Sequence, residues 1–339
     1  MPFIDATHPY WTNFLNHTPH DLYHLPDYCA IEAWMLGGKA LAWCFETKGL
    51  QVLMPLIHRS VSHDSHYYDL VSPYGYPGLL SSPQLGSADA VAVIQAFNRE
   101  AGAEGYISTF VRLNPLLNPW KLPPEVPCRQ LQHGLTVSID LSRPLEKIRA
   151  GYSVNHRRNL RGSIDRYVVH IDDYADFDRF ILAYNQTMHR KKAHPYYFFP
   201  EQYFHAIRHI LGHRLIFIAI NDNQGTFLSG GLFTLFGKVM QFHLGATMDQ
   251  ALTGSPSKLM IDAAVQTGIN RGAALLHLGG GVGASSSDGL FRFKKGFSST
   301  HYSFSSLQFI HNPDVYTLLA SKSTPSPTLP FDFFPVYRR

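Results

Sequence analysis

Residues 215–279 limit the possible folds more than any other stretch. Three β-rich runs, "LIFIAIND", "FLSGGLFTLFG" and "KVMQFHLGAT", follow one another with a Gly225 turn after the first. That pattern spells an antiparallel meander. A helix over "SPSKLMIDAAVQTGINRG" comes next, with Ser255 as cap, Pro256 at its first position and Gly268 or Gly272 near its stop. The chain then returns to strand in "ALLHLGGG" and again in "HYSFSSLQFI".

The first half runs in the same order. "AIEAWML", a Gly37-Gly38 turn, "ALAWCFET" and "LQVLMPLI" read as a meander, and "SHYYDLVSPYGYPGLL" as a strand ending in a Pro/Gly-rich loop. "GSADAVAVIQAFNREAGAEG" reads as a helix capped by Ser87 or Asp89, before strands in "YISTFVRLNPLL" and "HGLTVSIDL". Between the halves lies a basic helical stretch, "LEKIRAGYSVNHRRNLRGSI", followed by a strand in "YVVHIDD". "ADFDRFILAYNQTMHRK" sets Phe177, Phe180, Ile181 and Tyr184 at helical spacing, and "EQYFHAIRHILGH" is a further helix. Element order therefore repeats without a residue-level repeat. The expected fold class is α+β, with two tandem domains of mixed, mostly antiparallel sheet flanked by helices. The expected division is a first domain over 1–142, a basic connecting helix over 143–166, a second domain over 167–310 and an irregular Pro-rich tail over 311–339.

Composition narrows the function classes. Hydrophobic residues make up 45% of the 339 and charged ones 16%, which fits filled cores and no disordered bulk. A net charge of +4 does not announce a nucleic-acid binder, so any polyanion site must come from local clustering. Three cysteines without CxxC spacing argue against a disulfide framework or a cysteine zinc site. Nineteen histidines are scattered; the pairs His63/His66, His189/His194 and His209/His213 lack an HExxH or a cysteine partner. No metal is expected. No signal peptide and no apolar run of membrane-helix length is seen, so the expectation is a soluble, cytoplasmic protein.

The stretch "LHLGGGVGASSSDGLFRFKKGFSSTHYSF" concentrates the chemistry. Phe291, Arg292, Phe293, Lys294 and Lys295 set cations among aromatic rings. If they form a strand, Arg292 and Lys294 share one face and Phe291, Phe293 and Lys295 the other. Amide formation needs an amine, an activated acyl carbon and a positive group where the carbonyl oxygen gathers charge, which such a segment supplies. The alternative is a pair of lysines guarding an exposed sheet edge. Gly279–Gly281 follow a strand rather than opening a helix, so they read as a turn and not a phosphate loop. Two further basic clusters occur, with Arg157, Arg158 and Arg161 in one and Lys191 and Lys192 in the other. Arg157 and Arg161 are i,i+4 neighbours on a helix, suited to clamp a phosphate or carboxylate, or to form a solvated helix face. Tyr74, Tyr76, Tyr196 and Tyr197 sit in Pro-containing loops, as cleft wall or as packing lids.

The strings "DLYHLPDYCAIEA", "SPYGYPG", "VNHRRNLR", "YNQTMHRKKAHPYYFF" and "HLGATMDQALTGSPSKLMIDAAVQTGINRGAALLHLGGG", continuing into "LFRFKKGFS", resemble the Fem family of aminoacyltransferases and its GNAT-type acyltransferase relatives. The resemblance spans roughly residues 20–300. It implies two tandem GNAT-like domains and transfer of an acyl group to an amine, with aminoacyl-tRNA as donor and no cofactor. It places Phe293 and Lys294 beside the reacting carbonyl, with Lys294 the residue that meets the developing charge. Arg157, Arg158, Tyr74, Tyr76, Tyr196 and Tyr197 are then candidates for the acceptor, an amine-bearing peptide or small molecule. Arg161, Lys191, Lys192, Arg292 and Lys295 are candidates for tRNA. A GNAT domain that uses CoA carries a Q/R-x-x-G-x-G/A loop before its central helix; "GATMDQALTGSPSKLM" lacks it, which favours tRNA over CoA. An N-acyltransferase using acyl-CoA or an acyl-carrier thioester, and a catalytically silent binding protein, are the alternatives.

Overall fold

The computed structural model describes residues 2–47, 49–61, 66–281, 288–323 and 333–339. It divides into two compact units, Met1–Gly134 with Ser303–Arg339, and Leu135–Tyr302. The second unit is thus an insertion in the sequence of the first.

The first unit begins with β1 (Phe3–Asp5), α1 (Pro9–His17) and α2 (Pro26–Met35), followed by β2 (Lys39–Thr47) and β3 (Leu50–Ser60). After these come β4 (Tyr68–Val71), β5 (Leu80–Ser82), α3 (Ser87–Ala103), β6 (Ser108–Arg112) and β7 (Arg129–Asp140), which carries the chain into the second unit. Strands β2 and β3 pair antiparallel in register from Lys39↔His58 to Thr47↔Leu50, and β4 pairs parallel with β6. Helix α3 buries Val93, Ile94 and Phe97 against Trp43 and Leu56 of this sheet. The expected strand over "AIEAWML" is instead the body of α2. Pro26 opens that helix, Tyr28, Cys29, Glu32 and Ala33 bury one face, and Gly37, with φ +61, lets the chain leave it. Its β-compatible residues are overruled by that buried i,i+4 face.

The "SPYGYPG" loop is pinned by its contacts. His24 Nε2 donates to Pro77 O at 2.5 Å, and Asn114 Nδ2 donates to Tyr76 O at 2.8 Å. Gly75 has φ +95 and lies against the Tyr23 ring, a position that no Cβ would fit.

The second unit contains α4 (Leu145–Ala150), α5 (Val154–Ser163), β8 (Tyr167–Ile171), α6 (Phe177–Arg190), α7 (Glu201–Leu211), β9 (Leu215–Asp222), β10 (Phe227–Phe236) and β11 (Val239–Thr247). It continues with α8 (Pro256–Asn270), β12 (Leu275–Gly279), α9 (Gly289–Lys295) and the start of β13 (Thr300–Ile310). Strands β8, β9, β10 and β11 run as an antiparallel series, β11 pairs parallel with β12, and β12 pairs antiparallel with β7. Helix α8 buries Met260, Ile261, Ala264 and Val265 in a core shared with Ile216, Ile218 and Phe233. Here the expected elements stand where the periodicity puts them, apart from α9.

Two boundaries differ from the expected division. The basic stretch 143–166 is not a free connector: α4 and α5 belong to the second unit, and Tyr152 and Leu160 enter its core. Residues 303–339 return to the first unit, where β13 pairs with β6 and α10 (Pro313–Lys322) follows. The expected irregular tail includes 324–332, which lie outside the described residues. Beyond them Arg338 donates through Nε to Asp69 Oδ2 at 2.6 Å, and Tyr337 Oη donates to the same carboxylate at 3.0 Å. Asp69 is fully buried and also accepts from Arg59 Nε at 3.0 Å, so this buried charge takes its second guanidinium from the other end of the chain. Sequence separation hides that pairing.

Candidate active site

Parallel strands β11 and β12 are in register over Val239↔Leu275, Met240↔Leu276 and Gln241↔His277, and among the described residues they do not pair beyond that point. Strand β11 runs on to Thr247 alongside β10, while β12 ends at Gly279 with φ +72 and the chain turns away. The two strands part there, and α9 lies at the opening.

Helix α9 departs from the expected strand. Asp288 caps it by accepting from Phe291 N at 2.7 Å, and Gly296 receives its end. A helix redistributes the five residues. Arg292 and Lys295, three apart, are both exposed, while Lys294 turns inward and is buried. Its Nζ donates to Gly280 O at 2.6 Å and lies 5.6 Å from the centroid of the Phe242 ring. Burial lowers the ammonium's affinity for its proton and brings the pKa down to about 7; Asp288 opposes this weakly. Gly279–Gly281 therefore act as the expected turn, and Gly280 contributes a carbonyl to the site.

The neighbouring polar groups on the strands are buried and neutral. Gln241 donates through Nε2 to Phe242 O at 3.1 Å, which fixes its amide and turns Oε1 toward His277 Nδ1 at 2.6 Å. Burial, reinforced by the Lys294 charge, takes the His277 pKa to about 3. His243, two residues along β11 from Gln241, meets Tyr203 Oη at 3.2 Å, and burial takes its pKa to about 3 as well.

Helix α5 holds α9 in place. His156 Nε2 lies 2.9 Å from Phe293 O, so that nitrogen carries the proton and donates. The imidazole packs edge-on to Phe297 at 4.4 Å, and Gly296 is pressed against it so closely that a Cβ would collide with the ring. Phe293 itself is half-buried and packs on the core beside Phe297, so it supports the helix carrying Lys294. The string "VNHRRNLR" draws attention to its arginines rather than to this histidine. The available signal is its i,i+4 spacing to Leu160, which is buried on the same face of the helix.

The arginines behave differently from one another. Arg157 commits NH1 to Ala150 O at 2.7 Å and Tyr152 O at 2.5 Å, satisfying carbonyls at the end of α4. It is half-buried, so the structure gives the expected clamp residue a structural task. Arg158 and Arg161 are exposed, as are Lys191 and Lys192 just after α6. Tyr196 and Tyr197 form a 3-10 turn between α6 and α7 with rings 5.4 Å apart, and Tyr197 O accepts from Tyr184 Oη at 2.9 Å. Tyr74 and Tyr76, half-exposed in the pinned loop, belong to the first unit.

The beginning of α8 is filled. Ser255, with φ +54, stands at its cap position without a side-chain cap bond, and Pro256 supplies no N–H. Asn159 of α5 covers this end: with Oδ1 facing it, the amide accepts from Lys258 Nζ at 2.6 Å and from Ser255 Oγ at 3.2 Å. The Tyr167 hydroxyl lies against Gly254. For metals, the one described cluster with suitable donors is Asp178, Glu201 and His205, all exposed on α6 and α7, where His205 is 3.3 Å from Glu201.

No protein-family model matches this chain, and no curated protein does. Solved structures match over nearly its whole length. FemX superposes with a TM-score of 0.70 at 14% identity, covering 94% of this chain and 99% of its own. The fold is the Fem-type fold. L-PGS from Bacillus licheniformis matches at TM-score 0.56 and 14% identity, over 93% of this chain and 96% of its own. A conserved protein of unknown function from Bacteroides thetaiotaomicron VPI-5482 matches at TM-score 0.56 and 10% identity, over 91% and 99%. The expected α+β class, mixed and mostly antiparallel sheet flanked by helices, is the one observed. Among the described residues no helix is long and apolar enough to cross a membrane.

Proposed function

We propose that this protein is an acyltransferase that moves an aminoacyl group from aminoacyl-tRNA to an amine, forming an amide. The acceptor class is a peptide, a peptidoglycan precursor or a small amine-bearing metabolite. The observation that carries this reading is Lys294, a buried amine on a capped helix beside the parting strands, tethered to a backbone carbonyl and not to a carboxylate. In the reaction the acceptor nitrogen attacks the ester carbonyl. A C–N bond forms, the ester C–O bond breaks, and its electron pair goes to the ribose oxygen, which takes the proton the amine loses. Charge gathers meanwhile on the carbonyl oxygen. Lys294, in its cationic form, donates one N–H to Gly280 O and keeps others for that oxygen, where the dry surroundings strengthen the attraction.

The α8 terminus supports tRNA over CoA as the donor. A CoA pyrophosphate needs open backbone N–H groups at this helix start. Here Pro256 offers none, Asn159 and Lys258 cover the end, and Tyr167 fills the space beside Gly254. The exposed cations Arg158, Arg161, Lys191, Lys192, Arg292 and Lys295 suit phosphates of a polynucleotide. The deciding experiment offers the purified chain charged tRNA pools or acyl-CoAs, each with a mixture of amine acceptors, and follows labelled acyl transfer. Transfer from acyl-CoA alone would replace this reading with the N-acyltransferase alternative, and transfer from neither would leave a binding protein.

A further inference from the structure

Strand β8 is the edge of the second unit's sheet. It pairs only with β9 among the described residues, from Tyr167↔Asp222 to Ile171↔Ile218. Asp172 N donates to Phe217 O at 2.8 Å, which fixes the phase of the ladder. Val168 and His170 therefore turn their backbone groups toward β9, and Tyr167, Val169 and Ile171 turn theirs outward. No lysine, proline or glycine interrupts the strand, and Val168 and Ile171 are 42% and 44% exposed. These are the features that natural sheet edges ordinarily avoid. On one face the side chains of Tyr167, Val169 and Ile171 line a groove of about 440 Å³ beside Leu259 and Ala263 of α8.

We infer that this edge is a docking surface for a second copy of the same chain, joined antiparallel through β8 about a two-fold axis at Val169. The sequence around the strand, "RYVVHIDD" over 166–173, is self-complementary in that arrangement alone. Antiparallel apposition brings Arg166 to the acidic end of the strand in the second copy, where Asp172 bends the chain and Asp173 follows it, twice per dimer. Parallel apposition would set cation on cation and acid on acid. Arg166 makes no ion pair among the described residues and rests near the Tyr167 ring. Asp173 is exposed: its Oδ1 accepts from Ala175 N at 3.1 Å, while its Oδ2 meets His170 only at 3.8 Å. Asp172 is already paired with Arg271 and accepts from Phe217 N, so Asp173 is the acid with an oxygen to offer. The register about Val169 also engages every outward backbone group of the strand: Tyr167 pairs with Ile171, Val169 with itself, and Ile171 with Tyr167. On the groove face those same pairs bring β-branched and aromatic side chains together across the seam. A two-fold contact of this type uses one patch on both copies and closes at two.

The test measures mass by light scattering and sedimentation on the full chain from micromolar to millimolar concentration. A monomer–dimer equilibrium is expected. Val169→Cys should then form a disulfide with its own counterpart under mild oxidation, because paired Cα atoms across such a ladder lie about 5.5 Å apart, within disulfide reach. Val168→Cys should not, since it faces His170 and its counterpart lies on a diagonal about 7–8 Å away. Arg166→Glu, an exposed change, should weaken dimerisation about tenfold by turning two attractive pairs repulsive. A chain that stays monomeric throughout overturns the inference. So does a dimer in which Val169→Cys fails to cross-link or in which both cysteine variants cross-link alike. A monomer that instead gains mass only with an unrelated extended peptide assigns the edge to another partner, and equally overturns it.

Discussion

Replacing Lys294 by methionine should make the protein more stable while removing most of its transfer activity. Methionine keeps the length and apolar stem of the side chain and discards the amine. An amine whose ordinary pKa of 10.5 falls to about 7 on burial binds its proton less well in the folded chain than in the unfolded one. Each pKa unit is worth about 1.4 kcal/mol, so the burden of holding the cation in place has a ceiling of about 5 kcal/mol. Losing the bond to Gly280 O returns about 1–3 kcal/mol of that. A net gain of at most about 2–4 kcal/mol is left. The sign depends on pH in a defined way. Below about 7 the amine is protonated in both states and the burden is complete. Between about 7 and 10.5 the unfolded chain holds more protons, so wild-type stability rises with pH and the advantage of methionine shrinks. Urea unfolding of both proteins at pH 6, 8 and 10, about the window those values set, measures this directly. A methionine variant that is less stable than wild type, or whose difference from it is flat with pH, refutes the description of Lys294 as a buried, charge-strained amine. In the same preparation acyl transfer should drop at least ~100-fold, the scale of one lost oxyanion donor.

Wild-type transfer should decline as pH rises through about 7 if Lys294 works as a cation, after correction for the acceptor amine's own titration, and a profile that only rises would remove it from that role. Gly296→Ala forces a Cβ into the His156 ring, and should cost more than ~2 kcal/mol of stability and lower turnover by displacing α9, as read by unfolding and by labelled transfer. Neutralising Arg158, Arg161, Lys191 and Lys192 together should flatten the salt dependence of tRNA binding, by about 0.7–0.9 log units per decade for each phosphate that is no longer neutralised, with little effect on unfolding. Arg338→Ala leaves buried Asp69 with Arg59 and the Tyr337 hydroxyl as partners and should destabilise by about 1.5–3 kcal/mol, one charge-assisted contact, in a denaturant titration.

What the residues disclose depends on whether local pattern or distant contact decides the outcome. The meander of β9, β10 and β11 is legible because uninterrupted β-branched and aromatic runs with glycine turns have few alternatives. Helix α8 is legible from Ser255, Pro256 and its apolar stretch. Helix α2 is not, because "AIEAWML" carries as much strand as helix character, and the deciding facts are the burial of Tyr28, Cys29, Glu32 and Ala33 on one side. The ionic contact between Asp69 and Arg338 crosses most of the chain, and no local rule reports it. Hence the tail, proline-rich and unpatterned, offers no sign of a partner although it closes the first unit.

The site shows the same division on a smaller scale. Lys294 stands out from its aromatic frame, yet a strand would have put Arg292 on its face and left both cations equally wet. A helix separates them: three residues per turn and a fraction carry Arg292 and Lys295 outward and Lys294 into the core. Asp288 is the readable sign of that helix, an N-cap three residues before Phe291, hidden by the glycine- and serine-rich stretch preceding it. The consequence is chemical. On a strand edge the two lysines would keep their ordinary charge and serve solubility or phosphate contact. Within one turn of helix, the same dipeptide supplies an exposed cation at Lys295 and a buried amine, with a pKa of about 7, at Lys294. Neighbouring residues of one type acquire different tasks because His156 and Gly296 fix how the turn is set into the core.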